Sequence, residues 1–441
     1  MLLVTGDWVV PVTAPAIPRG AVLVDADRIV AVGPRADLET MCAIDTARAD
    51  FPGCVITPGL VNAHTHLTLT ALSGVVPPRR FDVWLPRLVA ALKPWNIADH
   101  EASGVIGAEE SLLSGVTVVG DIAYGAAEVA SASSAGLGGV YYWELLGLHP
   151  DAVDEHLAYL RYPTDSEVFG PRVVCGLSPH SPYTSGPGLL RAVRAAAEER
   201  DVPFAIHVAE SAAEHELMHD GAGALAGTAE RTAFGFIPPR ASTVAYLDRL
   251  GVLEGATAVH CCHLEAGDIG LLSERGASVV TCPRSNRYLD NPPAFVAPLL
   301  AAGIPLGIGT DSSASNSDLD LLSEVRALRA AEPSLSAETL LCIATAGGAK
   351  ALGVDDRFGA LSHGMQADLA VFAVGETDQP ADVVVSNGGR MTACAVMSGG
   401  QWRVRDGELL VRDEAAALQA HEARDRALAA LAAYDASGAR G

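Results

Sequence analysis

Between residues 54 and 311, short apolar runs recur and nearly all end in a residue suited to chemistry. They are CVITPGL (54–60), VTVVGDI (116–122), GVYYWELL (139–146), VVCGLSPH (173–180), FAIHVAE (204–210), TAVHCCH (257–263), SVVTCPRSN (278–286) and PLGIGTD (305–311). Helical patterns separate several of them, such as GLLRAVRAAAEERD (188–201), EAGDIGLLSERG (265–276) and DLLSEVRALRAAE (320–332). Strand–helix alternation predicts parallel strands, because a parallel return needs a long crossover. Eight such units predict an α/β fold, a TIM-like (β/α)8 barrel. The competing fold, an open doubly wound sheet, gathers its site at one switch point, usually beside a glycine-rich phosphate turn. No G-x-G-x-x-G or P-loop follows a strand here. The polar residues are instead spread over the strand ends, where a barrel carries its active site.

The two ends of the chain have another texture. LLVTGDWVVPV and GAVLVDADRIVAVG near the start, and ADLAVFAV, DVVVSNGG and ACAVMSGGQWRVRDGELL near the end, read as short strands between turns. They predict a small β-sandwich assembled from both termini. The expected division is 1–57 for its first part, 58–363 for the barrel, and 364–441 for its second part. The final stretch, EAAALQAHEARDRALAALAAYD, predicts an alanine-rich helix with no legible function.

Charge narrows the partners. The 441 residues hold 53 acidic and 30 basic side chains, a net charge of −23. Nucleic acids and anionic membranes need a cationic face, so both are excluded as expected partners. The scattered cysteines, several inside apolar runs (Cys54, Cys175, Cys282), predict reduced core thiols rather than a disulfide framework. With no basic, apolar leader and no apolar run near the ~18 residues of a membrane span, the expected location is the cytoplasm. Homodimerisation is compatible with everything in the sequence.

VNAHTHLTLT (61–70) sets His64 and His66 two apart. On a strand, residues i and i+2 share a face, so the two rings converge. Alone, such a pair is more often structural than metal-bound. His207 and Asp311, at the ends of two further strands, change that balance, because three imidazoles and a carboxylate on one rim suit a divalent metal with a position left for water. In isolation His207 would be a satisfied core histidine, and Asp311 a helix N-cap. Glu210, three residues after His207, adds a carboxyl suited to proton transfer.

PGLVNAHTHL, HVAE, VHCCHL and GTDSSASN resemble the amidohydrolase superfamily, in the branch of nucleoside and aminopurine deaminases and triazine hydrolases. The resemblance covers nearly the whole chain. It implies that His64, His66, His207 and Asp311 hold one divalent metal, Zn²⁺ first and Fe²⁺ second. Superfamily members with two metals commonly bridge them with a lysine from strand four. Here the only lysines, Lys93 and Lys350, lie outside the barrel strands. The resemblance further implies that Glu210 shuttles protons, that Asp311 also accepts one, and that His260 orients the attacking oxygen. For His260, a fourth metal-bound imidazole is the standing alternative. Asn316 and His263 are expected to support these groups from behind.

GLSPHSPYTSG, HVAESAAEHELM, YLDRLGVL and VVTCPRSN are similar to bacterial aminodeoxyfutalosine deaminases of menaquinone biosynthesis. That implies a purine nucleoside substrate with a benzoate extension. His180 is expected to bond a sugar hydroxyl or ring atom, Trp84 to stack, and Arg284 to hold the carboxylate. Adenosine, methylthioadenosine or S-adenosylhomocysteine deamination and s-triazine hydrolysis are the alternatives.

Overall fold

The computed structural model describes residues 1–163, 166–386 and 392–438. Its first strands are β1 (Leu2–Val9), β2 (Ile17–Pro18), β3 (Gly20–Asp25), β4 (Arg28–Pro34) and β5 (Ala47–Pro58). Eight strands of the middle follow: β6 (Leu60–Thr65), β7 (Val116–Ala123), β8 (Gly138–Leu145), β9 (Val173–Pro179), β10 (Ala205–Val208), β11 (Thr257–His260), β12 (Ser278–Thr281) and β13 (Leu306–Ile308). The last are β14 (Leu369–Ala373), β15 (Ala395–Ser398), β16 (Gln401–Arg405) and β17 (Glu408–Leu409).

The middle strands form two parallel four-stranded sheets among the described residues, β6-β7-β8-β9 and β10-β11-β12-β13. Single parallel bridges, Leu177 to Phe204 and Thr65 to Asp311, join them at both edges. Each strand is buried on both faces, which is why these runs are apolar throughout rather than alternating. In β8, Tyr141 and Trp143 pack outward against the helices while Val140 and Tyr142 face inward. The inner cluster joins Val61, Val118 and Val140 of one sheet to Ala205 and Val280 of the other. The helices Pro187–Arg200, Asp268–Glu274 and Leu321–Ala331 fall where the sequence predicts them.

Two expectations change. The run CVITPGL is not one strand: its first five residues end β5, and the inner strand begins at Leu60. Gly59 sits at the break, where a Cβ would come within 2.1 Å of Thr117 Oγ1. The termini do combine, but hydrogen bonding joins them into one sheet, β17-β16-β15-β14-β5-β1-β3-β4 with β2 beside β1, where two sheets were expected. The cause is β5, which pairs parallel with β1 on one side and antiparallel with β14 on the other. Within the DVVVSNGG stretch, Pro380–Ser386 is a helix, and residues 387–389 lie outside the described residues.

Candidate active site

His64, His66, His207, His260 and Asp311 gather on one rim of the strands, at the C-terminal ends. His64 and His66 leave β6, and their rings lie perpendicular with centroids 5.0 Å apart. His207, in β10, lies 5.0 Å from His64 and 5.8 Å from His66. Asp311 Oδ1 is 3.6 Å from His64 Nε2 and 3.5 Å from His66 Nε2. His260, the last residue of β11, stacks on His207 at 5.5 Å. The local backbone is unusual: Ala209, His260, Cys261 and Asp311 all have positive φ, between 49° and 75°. Left-handed non-glycine residues cost about 1–3 kcal/mol each and cluster at functional sites.

Neighbours fix each group. His207 Nδ1 bonds the His180 carbonyl at 2.7 Å, so that nitrogen carries the proton and Nε2 is left to accept. His260 Nδ1 is 2.9 Å from Asn286 Oδ1, which sets the same tautomer. Asp311 Oδ2 accepts from Ser285 Oγ at 2.5 Å and from Ser315 Oγ at 2.8 Å, leaving Oδ1 towards the imidazoles. Asn316 Nδ2 donates to the Thr310 carbonyl and to Glu324, behind Asp311.

Burial sets the protonation states. It is the largest cause holding His66 near 3 and both His180 and His260 near 4, with neighbouring imidazoles adding to it at each. Burial also pushes the Glu210 carboxyl well above its ordinary range, helped by the charges of Asp311 and Glu214. For Asp311, burial is the largest influence and acts upward. The approach of His64 and the nearby imidazoles outweighs it, so the carboxylate stays ionised. Neutral rings around one carboxylate form a metal-ligand set. Two buried nitrogens, His64 Nε2 and His66 Nδ1, find no hydrogen-bond partner among the described residues, and the His64 atom faces the cluster of ligand atoms. His64, His66 and Asp311 lie within ligand distance of one another, as do His64, His207 and His260. The donor set therefore fits one divalent ion, with His260 close enough to belong to it.

A cavity of about 540 Å³ opens over this cluster. Glu210 and His180 line it, and Glu210 Oε1 is 3.9 Å from His260 Nε2. Trp84 forms part of the wall, with its indole N–H bonded to the Ala314 carbonyl. Arg284 is the exception. Its guanidinium is paired with Asp318 at 2.7 Å, bonded to Ser317 and 3.7 Å from Glu324, and it does not line the cavity. The same stretch contributes Ser285 and Asn286 instead. Among the described residues, the lysine and arginine side chains that line the cavity are Lys93 and Arg231. His263 lies away from the cavity, its ring 6.3 Å from His215.

Two groups went unassigned in the sequence. Glu144, at the end of β8, is 6% exposed and lines the cavity, with Oε1 unbonded among the described residues. Its only signal was its place at a strand end. Glu214 bonds the backbone N–H groups of Ala209 and Glu210 at 2.9 Å each, holding the turn that presents Glu210.

The amidohydrolase family model matches residues 55–403. A 5-methylthioadenosine/S-adenosylhomocysteine deaminase of Desulforudis audaxviator is 32% identical, covering 97% of this chain and 99% of that protein. An adenosine deaminase of Xanthomonas campestris, solved with bound zinc, superposes with a TM-score of 0.84 at 30% identity, covering 97% and 98%. The Helicobacter pylori aminofutalosine deaminase, solved with methylthio-coformycin, gives a TM-score of 0.78 at 22% identity, covering 91% and 100%, a likeness of fold. With its site geometry and a family match over most of its length, the chain belongs to the amidohydrolase family.

Proposed function

We propose that the protein is a mononuclear-metal hydrolytic deaminase that exchanges the 6-amino group of a purine nucleoside for oxygen and releases ammonia. One observation carries the reading: a carboxyl that burial pushes well above its ordinary range, Glu210, lies 3.9 Å from His260 in a cavity that His66, His207 and Asp311 also line. His64, His66, His207 and Asp311 are the ligands in this reading. When bound, the ion supplies Lewis-acid activation of water. Asp311, ionised, takes a proton as the water oxygen attacks. Glu210 gives its proton to the ring nitrogen beside the reacting carbon, takes the remaining proton of the attacking oxygen to the departing ammonia, and is reprotonated by the proton Asp311 accepted. His260, turned by Asn286, holds the attacking oxygen through Nε2. His180 and Trp84 would flank the nucleoside.

The catalytic unit in this reading is a (β/α)8 barrel over 58–363, supported by the bridges at both sheet edges and the shared inner cluster. Residues 1–57 and 364–441 form the composite β unit.

Aminodeoxyfutalosine loses its expected Arg284 anchor. Any carboxylate on a 5′ extension would instead meet Lys93 and Arg231, and that serves S-adenosylhomocysteine equally well. The deciding measurement is ammonia release from adenosine, methylthioadenosine, S-adenosylhomocysteine, aminodeoxyfutalosine and triazines. Turnover is expected with 6-aminopurine nucleosides, fastest with those bearing a carboxylate. Turnover of triazines alone would overturn the proposal.

A further inference from the structure

A second cluster of ligating groups lies outside the cavity. His215 and His219 sit one turn apart on the helix Ala212–Asp220, their ring centroids 4.5 Å from each other. An i, i+4 histidine pair presents both rings on one helix face, the spacing by which helices chelate metal. Glu265, five residues beyond His260, meets both: its Oε1 is 2.6 Å from His219 Nε2 and 3.5 Å from His215 Nδ1. The three ligand atoms all lie within 4.8 Å of one another. Beside them, His263 has a buried Nε2 with no hydrogen-bond partner among the described residues.

We propose that His215, His219 and Glu265 form a second divalent-metal site, suited to Zn²⁺. Two imidazole nitrogens and one carboxylate oxygen are ligands of the right chemistry, and partial exposure leaves water to complete a tetrahedron. Ligands at about 2.0–2.1 Å in a tetrahedron stand roughly 3.3 Å apart. The His215–Glu265 separation already matches, and a small swing of the half-exposed Glu265 carboxylate opens the His219 contact.

The site would act as a clasp. Its helix begins just after Glu210, and Glu214 on that helix holds the Ala209–Glu210 turn. Glu265 belongs to the segment that leaves β11 after His260. A metal here joins the two segments that carry Glu210 and His260, without touching the cavity. The inference stands apart from the deaminase reading, because it concerns binding and stability alone.

Metal-stripped protein titrated with Zn²⁺, followed by metal analysis after gel filtration, should bind two equivalents per chain. His219→Ala and Glu265→Gln should each bind one. Asp311→Ala should keep the site at His215 and His219. The second equivalent should raise the thermal midpoint of the unaltered protein and not that of His219→Ala. If His219→Ala and Glu265→Gln both bind as many equivalents as the unaltered protein, or if Asp311→Ala binds none, the site does not exist. Should His219→Ala fail to fold, His215→Ala provides the same reading.

Discussion

At the scale of single residues, burial does most of the chemical work. Glu210 is a carboxyl whose proton is held by desolvation. Glu210→Gln keeps the shape and the metal ligands but cannot move a proton. It should bind metal as the parent does and lose about 10²–10⁴-fold in kcat. Full activity at the parent's metal content would end the proton-shuttle role. Glu144 makes the same physics visible without turnover. Burial pushes its carboxyl from 4.5 to about 8. In the fold it is therefore protonated at neutral pH, while in the unfolded chain it is ionised. The folded state binds the extra proton, so this contribution to stability is full below 4.5 and is lost as pH rises through about 8. Glu144→Gln, which mimics the protonated form, removes that slope. In metal-free protein its thermal midpoint should gain on the parent as pH is raised. Parallel curves would show that Glu144 is ionised in the fold.

At the scale of elements, the strand ends were legible and the traffic between loops was not. Histidine, aspartate and glutamate at the ends of apolar runs announced the rim, because a chain seldom puts such groups beside a buried strand without a use for them. TCPRSN was misread for a physical reason. A strand-end arginine next to a cavity and one locked into acidic neighbours 34 and 40 residues away look the same in sequence. Arg284 holds Asp318 and Glu324, and Glu324 in turn holds Asn316 behind the Asp311 loop. Arg284→Met should therefore lower the thermal midpoint, because it leaves Asp318 and the buried Glu324 without their cation. It should lower kcat/KM alike for nucleosides with and without a carboxylate. A loss confined to carboxylate-bearing substrates would restore Arg284 as a substrate anchor. The single sheet from both termini was hidden in the same way, since pairing between β5 and β14 spans more than 300 residues and leaves no local mark.

At the scale of the whole molecule, the C-terminal helix Glu414–Ala436 closes the architecture. Its buried stripe of Ala416, Ala420, Ala423, Ala427 and Leu431 packs on the helices Phe81–Leu92 and Ile97–Leu113. Alanine on every face blurred that stripe in the sequence, so the helix was predicted and its purpose was not. Its contacts supply the purpose. Trp95 Nε1 bonds the Ala423 carbonyl at 2.9 Å, Arg426 pairs with buried Asp99, and Arg424 bonds the Ser73 carbonyl. Asp435 pairs with Arg87 at 3.1 Å, and Tyr434 reaches the cavity itself. All of these partners lie on or beside the segment after β6, which carries Trp84 and Lys93 to the cavity. The helix thus braces the wall of the cavity from outside, while every proposed metal ligand is held by other elements. Ending the chain after Val411 should leave metal binding in the cavity intact and lower the thermal midpoint. It should raise KM for the nucleoside several-fold, with kcat changed less, because the wall loosens and the reacting groups stay fixed. An unchanged KM in a folded, truncated protein would mean that the segment after β6 holds its shape alone.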